Sequence, residues 1–133
     1  MNNYLLYIFI GLAGVYLLYQ KGIIFANFNS ITPAEATNII KNEESNMTIL
    51  DVRTPAEYKN VGHIANAILI PVQNLEKELD YLKQFKNKKI LVYCASGNRS
   101  VTASRILHAN GFNPYNIKGG VSRWSSDGFK LIK

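Results

Sequence analysis

The sequence predicts an α/β domain with a central parallel sheet covered by helices on both faces, preceded by one transmembrane helix. Three observations lead there. Short β-rich runs alternate with helix signatures from Thr32 onward, the pattern of a parallel sheet with crossover helices. Thr-Pro-Ala-Glu occurs twice, at Thr32–Glu35 and Thr54–Glu57, and each copy is a capping box that opens a helix. No charged side chain occurs from Met1 to Gln20. The chain divides accordingly into residues 1–25 (transmembrane helix), 26–31 (linker) and 32–133 (the folded domain).

Tyr4 to Tyr19 is apolar throughout. Those residues as a helix reach only ~24 Å, short of a ~30 Å hydrocarbon core. Extension through Lys21 to Ile24 gives about 31 Å, with Lys21 near enough to the end to snorkel. Tyr4, Tyr7, Tyr16 and Tyr19 sit in pairs near the two ends, as an aromatic belt does. The membrane contact is therefore expected over residues 4–24. A signal peptide fits less well, because the start lacks basic residues and the exit lacks a small-residue cleavage site. Lys21 and Lys41 follow the span, so the positive-inside rule predicts a single-pass protein of the cell inner membrane with its domain in the cytoplasm.

Beyond Thr32, Ala36, Ile39 and Ile40 give the first domain helix an apolar face. Met47 to Val52 reads as a buried strand, the second Thr-Pro-Ala-Glu starts a short helix, and Gly62-His63-Ile64 makes a turn. Ala67 to Ile70 is a second strand, stopped by Pro71. Asn74 to Phe85 carries Leu75, Leu79, Leu82 and Phe85 near helical spacing. Ile90 to Tyr93 is a third strand and Val101 to Asn110 a helix. A short strand around Tyr115 to Ile117 and a helical turn at Val121 to Ser126 complete the order.

The only cysteine, Cys94, follows the third strand directly, and Ala95-Ser96-Gly97-Asn98-Arg99-Ser100 lead into the next helix. Sites in open α/β sheets form beyond the carboxyl ends of strands. A thiol there faces backbone N–H groups and the positive end of a helix dipole. Cys94 thus reads as a nucleophile, and residues 95–100 as a nest for an anionic sulfur carried on it. Gly97 permits the tight turn, while Arg99 either attracts an anionic substrate or braces the loop.

Composition narrows the chemistry. One cysteine leaves no intramolecular disulfide and no Cys-x-x-Cys pair. Two histidines with no Cys/His spacing give no zinc pattern, so neither metal nor cofactor is expected. The formal net charge of +6 is scattered except at Lys86, Lys88 and Lys89, with no nucleic-acid recognition motif beside it; a nucleic-acid partner is not expected.

Four stretches together, Leu50–Tyr58, Gly62–Ala67, Cys94–Ser100 and Gly119–Trp124, resemble the rhodanese family of sulfurtransferases in its single-domain form. The resemblance covers about residues 31–130, and the apolar helix lies outside it. It implies a three-layer rhodanese-like domain in which Cys94 takes sulfane sulfur from thiosulfate or a persulfide donor. The resulting persulfide passes its sulfur to cyanide or a thiol. It also implies that Ala95, Ser96, Gly97, Asn98, Arg99 and Ser100 bind the substrate. Many family members have Arg after the cysteine; Ala95 stands there in this chain, which shifts the expected donor from thiosulfate toward a persulfide.

Asp51 and Arg53 are expected to form a buried structural ion pair, since either charge buried alone is costly. Glu57 is assigned to its capping box, and His63 to a turn in which its ring bonds the backbone. Two other functions fit the same cysteine. One is a tethered sulfur carrier or adaptor that works with a membrane-protein partner. The other is a cysteine phosphatase or arsenate reductase, although those resemble Cys-x5-Arg and this chain has Cys-x4-Arg.

Overall fold

The computed structural model describes residues 2–133. Its elements are helix α1 (Asn3–Gln20), strand β1 (Asn29–Ile31), α2 (Pro33–Asn42), β2 (Met47–Asp51), α3 (Pro55–Asn60), β3 (Ile68–Leu69), α4 (Leu79–Leu82), β4 (Lys89–Tyr93), α5 (Asn98–Ala109), β5 (Asn113–Ile117) and α6 (Gly120–Ser126). The sheet is parallel throughout, in the order β1-β5-β4-β2-β3. This is the α/β architecture expected from the sequence.

Both capping boxes form. The hydroxyls of Thr32 and Thr54 accept the N–H groups of Glu35 and Glu57 at 3.2 Å, and each glutamate accepts the N–H of its threonine in return. Period-2 alternation along the strands sorts the core into two layers. Leu50, Val52, Ile90, Val92 and Cys94 face Leu75, Leu82, Ala103 and Leu107. Ile49, Leu91, Tyr93 and Ile117 face Ala36, Val121 and Trp124 on the other side. Alternation therefore turns Cys94 toward α5.

Three segments differ from expectation. Residues 29–31 are not linker: Asn29, Ser30 and Ile31 pair with Tyr115, Asn116 and Ile117 as an edge strand, with Ile31 buried. Three residues are too few for alternation to reveal a strand. The Asn74–Phe85 helix is instead a chain of tighter turns, Val72–Glu78 and Lys83–Phe85 being 3₁₀ around the single α turn of α4. Val72, Leu75, Leu79, Leu82 and Phe85 are mostly three apart, the 3₁₀ period.

The third difference lies at the foot of α1. The helix does not continue to Ile24. It closes at Gln20 in a Schellman turn, Gly22 N–H donating to Tyr19 O and Ile23 N–H to Leu18 O, both at 3.0 Å, with Gly22 at φ +69°. Eighteen residues remain in the helix, a length of about 27 Å. None of them is buried, and this is one helix long and apolar enough to cross a membrane. Its foot is docked on the domain by Arg105 of α5, which lies over the Tyr19 ring at 3.9 Å. The same guanidinium donates to the carbonyls of Tyr19 (2.9 Å), Ile24 (3.1 Å) and Phe25.

Candidate active site

Cys94 leaves the carboxyl end of β4 and is 1% exposed. The loop turns at Gly97, where φ is +123°; a side chain there would meet nothing closer than Gly119 N at 3.9 Å, so backbone conformation, not crowding, favours glycine. Gly97 N–H donates to Cys94 Sγ at 3.1 Å. The thiol lies 3.4 Å from Ser100 Oγ, and that hydroxyl donates to Gly97 O at 3.1 Å. Ser100 sits in the first turn of α5, so the sulfur lies against the positive end of that helix. A sulfur that gains negative charge here finds an N–H and a rotatable hydroxyl already in place.

Among the expected loop residues, Gly97 and Ser100 are those that bond the sulfur; Ala95 and Arg99 hold the loop in place, and the side chains of Ser96 and Asn98 make no hydrogen bond among the described residues. Ala95 O accepts Ser122 N–H at 3.0 Å, and Cys94 O accepts Val121 N–H at 2.9 Å. The first turn of α6 thus holds the loop from outside. Gly120 makes that approach possible: a Cβ on it would lie 2.3 Å from Cys94 O and 2.7 Å from the Ala95 carbonyl carbon. In the sequence Gly120 stood only within the stretch Gly119–Trp124, with no role of its own.

Arg99 braces the loop. Its guanidinium donates to Glu57 Oε1 at 2.7 Å and Oε2 at 2.8 Å, a fork-to-fork pair. The bond to Arg99 holds the Glu57 carboxyl at about 2, and Glu57 in turn raises Arg99 above its ordinary value. Glu57 therefore serves two masters, its own helix cap and the cysteine loop. A capping signature alone could not reveal the second role.

Asp51 and Arg53 form the expected buried pair, at 0% and 1% side-chain exposure and 2.7 Å. Arg53 also donates to Gly62 O at 2.7 Å and lies 5.5 Å from the Tyr93 ring centre. Burial opposes its charge, and the hydrogen bond and proximity of Asp51 outweigh that, leaving its pKa raised. The Tyr93 hydroxyl accepts Ile64 N–H at 3.0 Å; burial first, then the Asp51 charge, pushes its ionisation far upward. His63 Nδ1 lies 3.1 Å from Tyr58 O and its ring stacks on Tyr58 at 3.6 Å. These groups fasten the loops on the far side of β4; none touches the sulfur.

Comparison with known proteins matches the rhodanese-like domain model over residues 32–127. A tRNA uridine(34) hydroxylase of Buchnera aphidicola is 35% identical over 102 residues, which cover 73% of this chain and 32% of that protein. The chain thus spans about a third of the length of this relative. Among solved structures, a rhodanese-related protein from Thermoplasma volcanium is 36% identical with a TM-score of 0.71, covering 79% of this chain and 98% of that one. A rhodanese-like domain protein from Staphylococcus aureus is 34% identical with a TM-score of 0.67, covering 80% and 100%. With a thiol cradled at the end of β4 and the family model matched from the first domain helix to the last, the chain belongs to the rhodanese-like domain family.

Proposed function

We propose that this protein is a membrane-anchored sulfurtransferase in which Cys94 carries sulfane sulfur as a persulfide. The observation that carries the reading is the setting of Cys94 Sγ, which accepts Gly97 N–H at 3.1 Å and donates to Ser100 Oγ at 3.4 Å, on a loop too short to enclose a phosphate. The Cys94 thiolate attacks the outer sulfur of thiosulfate or of a persulfide. A new S–S bond forms, the old one breaks, and sulfite or a thiolate leaves with the electron pair. Attack on the outer Cys94 sulfur by cyanide or a thiol returns the enzyme.

The exposed apolar helix α1 supports a single-pass anchor in the cell inner membrane. Lys21 and Lys41 after the span favour a cytoplasmic domain. Arg99 is engaged by Glu57 and not aimed at the nest, which weighs against the phosphatase alternative.

Intact mass spectrometry of the full chain, before and after thiosulfate or glutathione persulfide, tests the proposal. A gain of about 32 Da on the wild type and none on Cys94→Ser is the expected result; no gain with either donor rejects sulfur transfer. A gain that is discharged only by a membrane-protein partner favours the carrier form. The relatives named tRNA uridine(34) hydroxylase favour one second reading, in which the domain serves tRNA modification. Retention of tRNA by the full chain at 0.15 M salt, or about that ionic strength, would support it.

A further inference from the structure

Helix α1 stops about 3 Å short of a full hydrocarbon core, and the turn that follows it is apolar and exposed. Ile23 is 64% exposed and Phe25 77%, more than any other large apolar side chain among the described residues. Phe25 is held there against its backbone preference. Its φ is +52°, a region that a bulky residue seldom enters. Asn66 is the other non-glycine residue described with a positive φ, and asparagine tolerates it. Arg105 fixes the Phe25 conformation by donating to the carbonyls of Tyr19, Ile24 and Phe25. In water, a strained backbone that exposes a phenyl ring is unfavourable twice over. The surroundings are cationic. Lys21 and Lys118 are exposed and join no ion pair among the described residues. No acidic residue precedes Glu35, and no carboxylate lines either cleft bounded by the foot of α1.

We propose that the Ile23–Phe25 turn is a lipid-facing wedge that seats the folded domain on the headgroups of an anionic bilayer; the proposal rests on α1 being the membrane anchor. The turn is continuous with α1, none of whose residues is buried, so whatever surrounds the helix reaches the turn as well. Ile23 and Phe25 enter the interfacial zone and restore the apolar depth that the early helix stop removes. Aromatic rings favour that zone. Lys21 and Lys118 meet lipid phosphates, whose negative surface attracts basic groups close to it. A neutral bilayer would accept the ring and leave both cations without a counter-charge. Arg105 belongs to α5, the helix that the cysteine loop opens, so its clasp joins α1 to the domain as a fixed seat in place of a free tether. Ser96, Gly97 and Asn98 line the same cleft as Lys21 and Ile23. The seat therefore holds the cysteine loop beside the lipid surface.

The test reconstitutes the full chain, in a Cys94→Ser background, into vesicles of phosphatidylcholine alone or mixed equally with phosphatidylglycerol. A nitroxide is attached singly through Leu12→Cys, Phe25→Cys or Asn87→Cys. Power saturation then compares its accessibility to oxygen, which concentrates in lipid, and to a water-soluble nickel chelate. The Leu12 site reports whether α1 spans the bilayer. Asn87 is exposed in the turn before β4, at the opposite end of that strand from Cys94, and serves as the aqueous reference. Oxygen is expected to be favoured at the Leu12 site and, in the anionic vesicles, at the Phe25 site, with nickel favoured at Asn87. In phosphatidylcholine alone the oxygen preference at Phe25 should fall, and Lys21→Gln/Lys118→Gln should remove the difference between the two vesicles. Arg105→Ala should turn the Phe25 site toward nickel and leave the Leu12 site unchanged; unchanged depth at Phe25 would overturn the clasp. Nickel preference at Phe25 with oxygen preference at Leu12 overturns the wedge and leaves α1 as the anchor, whereas nickel preference at both overturns the anchor too. Equal oxygen preference at Phe25 in the two vesicles overturns the anionic surface. A Phe25 label shielded from both reagents would show a protein partner covering the turn and would also overturn the proposal.

Discussion

The carboxylate of Glu57 accepts from Thr54 to close the first turn of α3 and at the same time grips Arg99 with both oxygens, at 2.7 and 2.8 Å. One side chain thereby couples the loop after β2 to the loop after β4.

That coupling predicts an acid-sensitive fold. Glu57 is held at about 2 in the folded chain against an ordinary 4.5. Its stabilisation is complete above pH 4.5 and is lost as pH falls toward 2, because the unfolded chain binds the proton first. Glu57→Gln keeps the cap, since Gln serves a capping box, and removes the charge pair. Urea titration should show a loss of about 1 kcal/mol at neutral pH and a flatter stability profile between pH 4.5 and 2. An unchanged acid profile would refute the assignment.

Two glycines separate strain from collision. Gly97→Ala meets only the cost of φ +123° with open space around it, about 1–3 kcal/mol. Gly120→Ala adds a Cβ 2.3 Å from Cys94 O at φ +55°. It should destabilise more than Gly97→Ala and slow sulfur uptake by displacing the loop. Thermal melts and the rate of mass gain on both variants decide the order.

Ser100→Ala removes the hydroxyl beside Cys94 Sγ, and Gly97 O keeps the Val101 N–H at 3.2 Å. The fold should therefore hold while the rate of persulfide formation drops about tenfold, the worth of a hydrogen bond to a charged atom. Stopped-flow uptake with thiosulfate is the measurement; a normal rate in a folded variant would remove Ser100 from the site.

The Asp51–Arg53 pair predicts the opposite split. Arg53→Met strands Asp51 at 0% exposure and should cost about 3–5 kcal/mol, whereas Asp51→Leu combined with Arg53→Met should cost less than the single change. Sulfur uptake per folded molecule should match the wild type in the double variant. Lost uptake with an intact fold would move the pair into the chemistry.

What the sequence revealed was local. Thr32–Glu35 and Thr54–Glu57 carry their partners within one turn, so both caps were legible, as were Cys94 and its loop at a strand end. The Asp51–Arg53 pair lies two residues apart and was legible for the same reason. Contacts between distant segments were not. Arg105 clasping Tyr19, Ile24 and Phe25, Arg99 on Glu57, and Gly120 against Cys94 O depend on how crossover connections fold back, which no local pattern encodes. The helical extension to Ile24 failed because hydropathy does not show a glycine poised to close a Schellman turn.

The strand order places β1 beside β5, Asn29 opposite Tyr115. During synthesis, the strand that follows α1 has no partner until nearly the whole chain has been made. At about 5–20 residues per second, that leaves β1 waiting for several seconds after α1 has left the ribosome. The first strand is thus the last to be paired, and the foot of α1 cannot take its final seat until the growing chain is almost complete.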